Sequence, residues 1–217
     1  MIDAENEPAM IEHNDVYAPE RRERCDAAEN RLQILAAARA LFAQQGVEHT
    51  TMHEIARAAK VGQGTLYRRF AHKGLLCEAL LASDIDCFLA RLDALRALSS
   101  PDVSVLDKID RLLADLIAMT DSHIPMLAVM QHEACKPNRP DFCHTPLYQQ
   151  MHAHLAGLLR QAAQQGALRR LDADFTAHAI IATLTPTFFA LQRFDLGQSQ
   201  AQIAAKIRAV FIEPLRP

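Results

Sequence analysis

NRLQILAAARALFAQQGVEHTTMHEIARAAKVGQGTLYRRFAHKGLL, residues 30–76, is the stretch whose reading decides the fold. From Arg31 to Gln45, Leu32, Leu35, Ala38 and Phe42 recur at helical spacing, and Ile34 and Leu41 widen the stripe. Gly46 stands where a helix-ending residue of positive φ is expected. Thr51 followed by Glu54 forms a capping box, in which the hydroxyl accepts from an orphan N–H and the carboxylate reaches back. Met52, Ile55, Ala56 and Ala59 give the second helix one narrow apolar face. Val61 pins a turn of about three residues, the spacing of a helix-turn-helix, and Gly62 relaxes the backbone there. In the third helix Leu66 and Phe70 face inward, leaving Gln63, Thr65, Tyr67, Arg68 and Arg69 outward.

An outward face of amide, hydroxyl, phenol and guanidinium groups suits a nucleic acid. Gln pairs with an adenine edge, Arg with guanine or phosphate, and Thr with either a polar edge or a thymine methyl. Tyr67 and Lys73 suit backbone oxygens, which set register without reading sequence. Thr51 and its neighbours, at a helix N-terminus, are placed to hold a phosphate. The candidate DNA-binding residues are therefore Thr50, Thr51, Gln63, Gly64, Thr65, Tyr67, Arg68 and Lys73. A capped helical hairpin with a solvated polar face is the alternative. The short turn, its apolar pins and the clustered bases weigh together against it.

This stretch resembles the N-terminal domain of the TetR (tetracycline-repressor-like) family of bacterial transcription regulators. The resemblance is carried by Ile34-Leu35-x-x-Ala38, Leu41-Phe42-x-x-x-Gly46, Thr50-Thr51, Ile55-Ala56, Ala59-x-Val61, Gly64-Thr65-Leu66-Tyr67, Phe70 and Lys73. Three positions depart from the pattern. Lys60 stands at a turn position that is often Gly, His72 at the usual capping Ser, and Gly74 where an acidic residue often follows.

The 217 residues are half apolar, with only 7 Gly, which favours helices, and the length suffices for one to two domains with a real core. No stretch approaches the roughly 18 apolar residues of a membrane span, and the acidic N-terminus is no secretory signal. Five cysteines without CxxC spacing give no disulfide or zinc framework, so a reducing cytoplasm is the default. The net charge of −3 hides a gradient: residues 1–20 carry −6, residues 21–73 carry +5, and the remainder −2. Positive charge lies where a DNA-binding head needs it.

Residues 1–19 read as a disordered acidic arm, followed by Arg21, Arg22 and Arg24, which in the resembled family can reach DNA. Beyond Lys73 a long linking helix runs to about Ser99. Further helices follow over 105–117, from Ser122 and Pro125 to about Cys135, from Thr145–Pro146 to Gln165, over 172–194 with a kink at Pro186, and from Ser199 to Phe211. Residues 136–146, with three prolines, read as a loop. The expected fold is all-α. Residues 1–28 form a flexible acidic and basic arm, 29–76 a three-helix helix-turn-helix domain, and 77–217 a larger helical ligand-binding and dimerisation domain.

The resemblance implies a homodimer whose last two helices pair across a two-fold axis, so that two heads face one pseudo-palindromic operator in double-stranded DNA. Candidate interface residues are Ile180, Leu184, Leu191, Ile203, Ile207 and Val210. It also implies a small-molecule effector held inside the body, whose differential binding changes the spacing of the heads. Candidate lining residues are Met119, His123, Met126, Leu127, Met130, Met151, His152, Leu155, Thr183, Thr187 and Phe188, plain core packing being the competing reading for each. His132, Cys135, Cys143 and His144 cluster in sequence but lack the spacing of a structural zinc site; a thiol switch is a second reading. His152 and His154 lie two apart and face different sides. No Ser-His-Asp set, Gly-rich phosphate loop or HExxH appears, so no cofactor and no catalytic function are expected. The expected function is a ligand-released repressor without a membrane association. A helical adaptor lacking sequence-specific DNA binding is the alternative.

Overall fold

A computed structural model describes the backbone of residues 18–98, 100, 102–136 and 142–217, and the side chains of those from Ala27 onward. The acidic arm before residue 18, the side chains of Arg21, Arg22 and Arg24, and residues 137–141 of the proline-rich loop lie outside the described residues. Within them the chain is helical, with no strand. The helices are α1 (Ala18–Gln45), α2 (Met52–Ala58), α3 (Gln63–Arg69), α4 (Lys73–Ala97), α5 (Val105–Ala134), α6 (Pro146–Gln164), α7 (Ala173–Ala182), α8 (Pro186–Ala190) and α9 (Gln200–Phe211). The first helix thus begins at Ala18, within the segment assigned to a flexible arm.

Two separate apolar cores organise these helices. In the head, Ile34 and Ala38 of α1 meet Ile55, Ala56 and Ala59 around α2, Leu66 and Phe70 from α3, and Leu76 of α4. Burying each large side chain removes it from water for about 1.5–3 kcal/mol. Leu32, expected in this stripe, is 68% exposed. Helical rotation puts Ile34 and Ala38, four apart, on the inner face, and carries Leu32 outward. Above the head core the Arg31 guanidinium lies 5.1 Å from the Phe70 ring centroid.

The second core fills the body, with α5 at its centre and α4, α6, α8 and α9 packed against it. Contact on several sides explains why α5 is apolar over much of its length. By length and composition it is apolar enough to cross a membrane, contrary to the expectation that no stretch is; its apolar side chains are those of the body core. The two helices expected over 105–117 and 122–135 are one bent helix. His123 leaves helical geometry at φ −130°, two residues before Pro125, where the proline ring displaces the preceding turn.

Local chemistry ends the other helices. Ser104 and Asp107 make a capping box on α5, and Ser199 and Gln202 another on α9. Thr145 caps α6 with Pro146 at its first position. Pro186 was expected to kink a single helix. Instead helix α7 stops at Ala182, and Pro186 starts α8, which continues as a π-helical turn over Leu191–Asp195. Arg193 in that turn donates to both carboxylate oxygens of Asp121 on α5, at 2.7 and 3.2 Å, and to the Gln198 carbonyl. The guanidinium hydrogen bond holds the Asp121 carboxyl below its usual range.

The linking helix α4 carries residues of both cores: Leu76 in the head, and Phe88, Leu92 and Leu95 in the body. Polar side-chain contacts add to this attachment. His123 Nε2 lies 3.5 Å from Asp84, His154 Nε2 3.3 Å from Asp93, Arg91 3.5 Å from Asp115, and His72, which precedes α4, 3.7 Å from Glu133.

Candidate functional site

The head presents α3 as an outward ridge. Gly62 precedes it with φ −66° and ψ 148°, an ordinary extended conformation, so the expected backbone relaxation is not at this residue. It is at Lys60, whose φ of 55° is the one positive value among described non-glycine residues. A side chain there costs about 1–2 kcal/mol relative to glycine. Leu66 is fully buried beneath α3, whereas Gln63, Gly64, Tyr67, Arg68 and Arg69 are exposed and Thr65 is partly so. Tyr67 is 49% exposed, a large ring with nothing covering its outer side in the free protein. Gln63 shares a hydrogen bond with His53 of α2, a contact not foreseen in the sequence.

Helix α2 is tied to this face through the His53–Gln63 hydrogen bond. Glu54 accepts from the Thr51 backbone N–H and hydroxyl, both at 2.8 Å, while the Thr51 hydroxyl accepts from the Glu54 N–H at 3.2 Å. These contacts from Thr51 hold the Glu54 carboxyl below its ordinary range. Thr51 is exposed, at an N-terminus whose free N–H groups suit an anion.

Two candidates do other work. Thr50 is only 1% exposed and donates its hydroxyl to the Gly46 carbonyl at 2.7 Å. Lys73 directs its ammonium at the carbonyls of Val47, Glu48 and Thr50, at 2.8, 3.3 and 3.0 Å. An ammonium has three donors, and these contacts use them all. Both residues brace the α1–α2 loop rather than face a phosphate. His72, where the resembled family has a capping Ser, precedes α4 without a side-chain cap hydrogen bond. Gly74 is explained by space. A Cβ there would meet Glu133 Cβ and His72 Nδ1 at 3.0 Å, so its lack of a side chain lets the end of α5 approach α4.

Among the described residues, two cavities share Phe142 and Leu147. One, of about 170 Å³, is lined by Met119, Leu127 and Met151 of the expected set, together with Tyr148, Cys135 and Cys143. The other, of about 670 Å³, takes Met130 and lies beside α4. The remaining expected lining residues are placed elsewhere. Leu155 is fully buried in the body core, Met126 is partly buried outside both cavities, and Thr187 and Phe188 are exposed. His123 pairs with Asp84, and the Thr183 hydroxyl donates to the Ile180 carbonyl. The His152 ring stacks on His178 at 3.9 Å between centroids, and His178 Nδ1 lies 2.7 Å from the Tyr148 hydroxyl.

Of the expected interface residues, Ile180, Leu184, Ile203 and Ile207 are at most 6% exposed and belong to the core of one subunit, so they have no surface to offer a partner. Leu191 and Val210 do face outward. Phe175, Phe194 and Leu196, not singled out in the sequence, are each at least 60% exposed, and Phe188 is 45% exposed.

The thiols divide by burial. Desolvation pushes the Cys77 thiol up to about 12, which keeps it protonated. Cys87, Cys135 and Cys143 are exposed and free. His132, Cys135, Cys143 and His144 do not assemble a metal site; among the described residues no three such side chains gather.

Comparison with known proteins places this geometry. Residues 34–80 match the model of bacterial regulatory proteins, tetR family. An HTH-type transcriptional regulator of Staphylococcus aureus (strain USA300) is 40% identical over 73 residues, which are 34% of this chain and 40% of that protein. The matched region therefore spans well under two thirds of that relative. Among solved structures, FadR of Thermus thermophilus, a TetR family transcriptional repressor in complex with lauroyl-CoA, superposes with TM-score 0.64 and 20% identity over 84% of this chain and 93% of that one. A transcriptional regulator of Saccharomonospora viridis in complex with choline gives TM-score 0.61 and 18% identity over 88% and 99%. At such identities the likeness extends to the fold. The chain is thus similar to the tetR family of bacterial regulatory proteins over residues 34–80, and its described helices share the fold of solved TetR family regulators.

Proposed function

We propose that the protein is a cytoplasmic homodimer that binds a pseudo-palindromic operator through α3 and acts as a repressor released by a small-molecule ligand. The observation that carries this reading is the division of α3: Leu66 fully buried, and Gln63, Gly64, Tyr67 and Arg68 exposed beside the N-terminus of α2. A helix held by its apolar side and displaying donors on the other fits a major groove. Thr51, Tyr67 and Arg68 would set register on phosphates, while Gln63 and Thr65 would meet base edges.

The exposed apolar surface of α7–α9 supports a dimer. The cavities support a ligand, since the larger falls within the usual 300–1,000 Å³ of small-molecule sites. Structural neighbours hold lauroyl-CoA in one case and choline in another, so this fold admits ligands of opposite charge. Regulation follows if the ligand prefers one spacing of the two heads.

Selection of bound fragments from random duplex DNA tests the reading. A palindromic enriched sequence is expected, with affinity falling steeply as salt rises. Tyr67→Ala and Arg68→Ala should each weaken the selected site by about tenfold without altering thermal unfolding. Binding with no enriched sequence would return the head to a protein-docking module.

A further inference from the structure

The larger cavity lies between the first half of α4, the end of α5 and the start of α6. Its walls are apolar, with Leu75, Ile85 and Leu89 on α4 facing Met130, Phe142 and Leu147. Leu75 is 39% exposed on a helix where Leu76, Leu81, Phe88 and Leu92 are buried, so an apolar side chain stands open to this space. Glu78 and Asp86 also line it. Eight residues apart, they share one side of α4, about two turns from each other.

The charges here are unbalanced. Glu133, the third carboxylate lining the cavity, is matched by Lys136 at 2.5 Å and lies 3.7 Å from His72. Glu78 and Asp86 form no ion pair with a base among the described residues, and those lining the cavity include no lysine or arginine. His72 and His144 are the other titratable groups on its walls. An anion entering would approach two carboxylates without compensation. An uncharged molecule gains apolar contact alone, and a cation gains both.

We propose that this cavity binds a lipophilic organic cation, with its apolar body against Leu75, Ile85, Leu89 and Met130 and its charge toward Glu78 and Asp86. The proposal rests on the regulator reading above and names the ligand class. Ala71, His72 and Gly74 wall the same space. The occupant therefore touches the junction of α3 and α4, where the lack of a side chain at Gly74 leaves α4 close to Glu133.

Tetraphenylphosphonium and tetraphenylborate, ions of one shape and opposite charge, test it by calorimetry on the full chain. The phosphonium should bind at least about tenfold tighter than the borate. In the double variant Glu78→Gln, Asp86→Asn, with unchanged helical circular dichroism, the preference should shrink to about threefold or less. Equal or tighter binding of the borate overturns the proposal, as does a preference that survives in the double variant. Operator affinity without either ion reports on the regulator reading alone. Its absence in the wild type defeats that reading and leaves the ion comparison intact.

Discussion

The head and the last three helices solve opposite problems. In the head, every large apolar residue of α2 and α3 except Tyr67 turns toward a single small core, and the outer side is polar or basic. In α7–α9, apolar residues occupy both sides. Ile180, Ile203 and Ile207 turn in, while Phe188, Leu191, Phe194 and Val210 turn out. A short helix over one core has one buried face. A helix that also serves a second surface has two, and its apolar stripe widens until period alone no longer says which residue faces which.

Mutations on the two sides of α9 give the largest test of that contrast. Ile203→Ala should cost about 2–4 kcal/mol in urea unfolding, because it leaves a cavity at a fully buried site. Val210→Ala, 65% exposed in the single chain, should cost well under that. Equal losses would erase the distinction between inside and outside.

On the outward side, Phe188→Glu with Leu191→Glu should convert a dimer into a monomer by light scattering, with little loss of helicity. Operator affinity should fall at least about 100-fold, since each head then binds a half-site alone. A dimer that survives both charges would move the interface elsewhere.

Gly64 sharpens the reading of the head. A Cβ built there meets nothing within 4 Å, so the free protein has no use for its smallness. Gly64→Ala should stabilise α3 by roughly 0.5–1 kcal/mol. If close approach of DNA needs the bare backbone, the same change weakens the operator complex by about tenfold. Unaltered DNA affinity would place Gly64 away from the duplex.

The smallest effect is in acid. Burial lowers the affinity of His154 for a proton, opposed by Asp93 and assisted by Arg96. Its contribution is therefore full above the unfolded imidazole value of about 6.5 and is lost as the pH falls through the lower folded value. Unfolding at about pH 7.5 and about pH 5.5 should show a decline that His154→Gln reduces.

Much of the head was legible because its determinants are local. Gly46 has the positive φ of 85° that its position required, and the Thr51–Glu54 box is formed as read. Failures begin where a residue's partner is distant in sequence. Lys73 looks like a phosphate contact until its carbonyls, 23 to 26 residues earlier, are seen around it. Gly74 stands only as a departure from the resembled pattern until Glu133 is found against it. His152 shows no sign in sequence of the His178 ring on which it stacks.

By itself, then, the sequence determined the helical class, the short helices of the head and the polar face of α3, because helical period and capping act over a few residues. Tertiary structure alone decided which apolar residues of α7–α9 are core and which are surface. It also decided which polar side chains brace loops, and where α4 leaves a cavity beside two unpaired carboxylates. The physical reason is that burial and pairing depend on whatever occupies the neighbouring space, and those neighbours come from helices far apart along the chain.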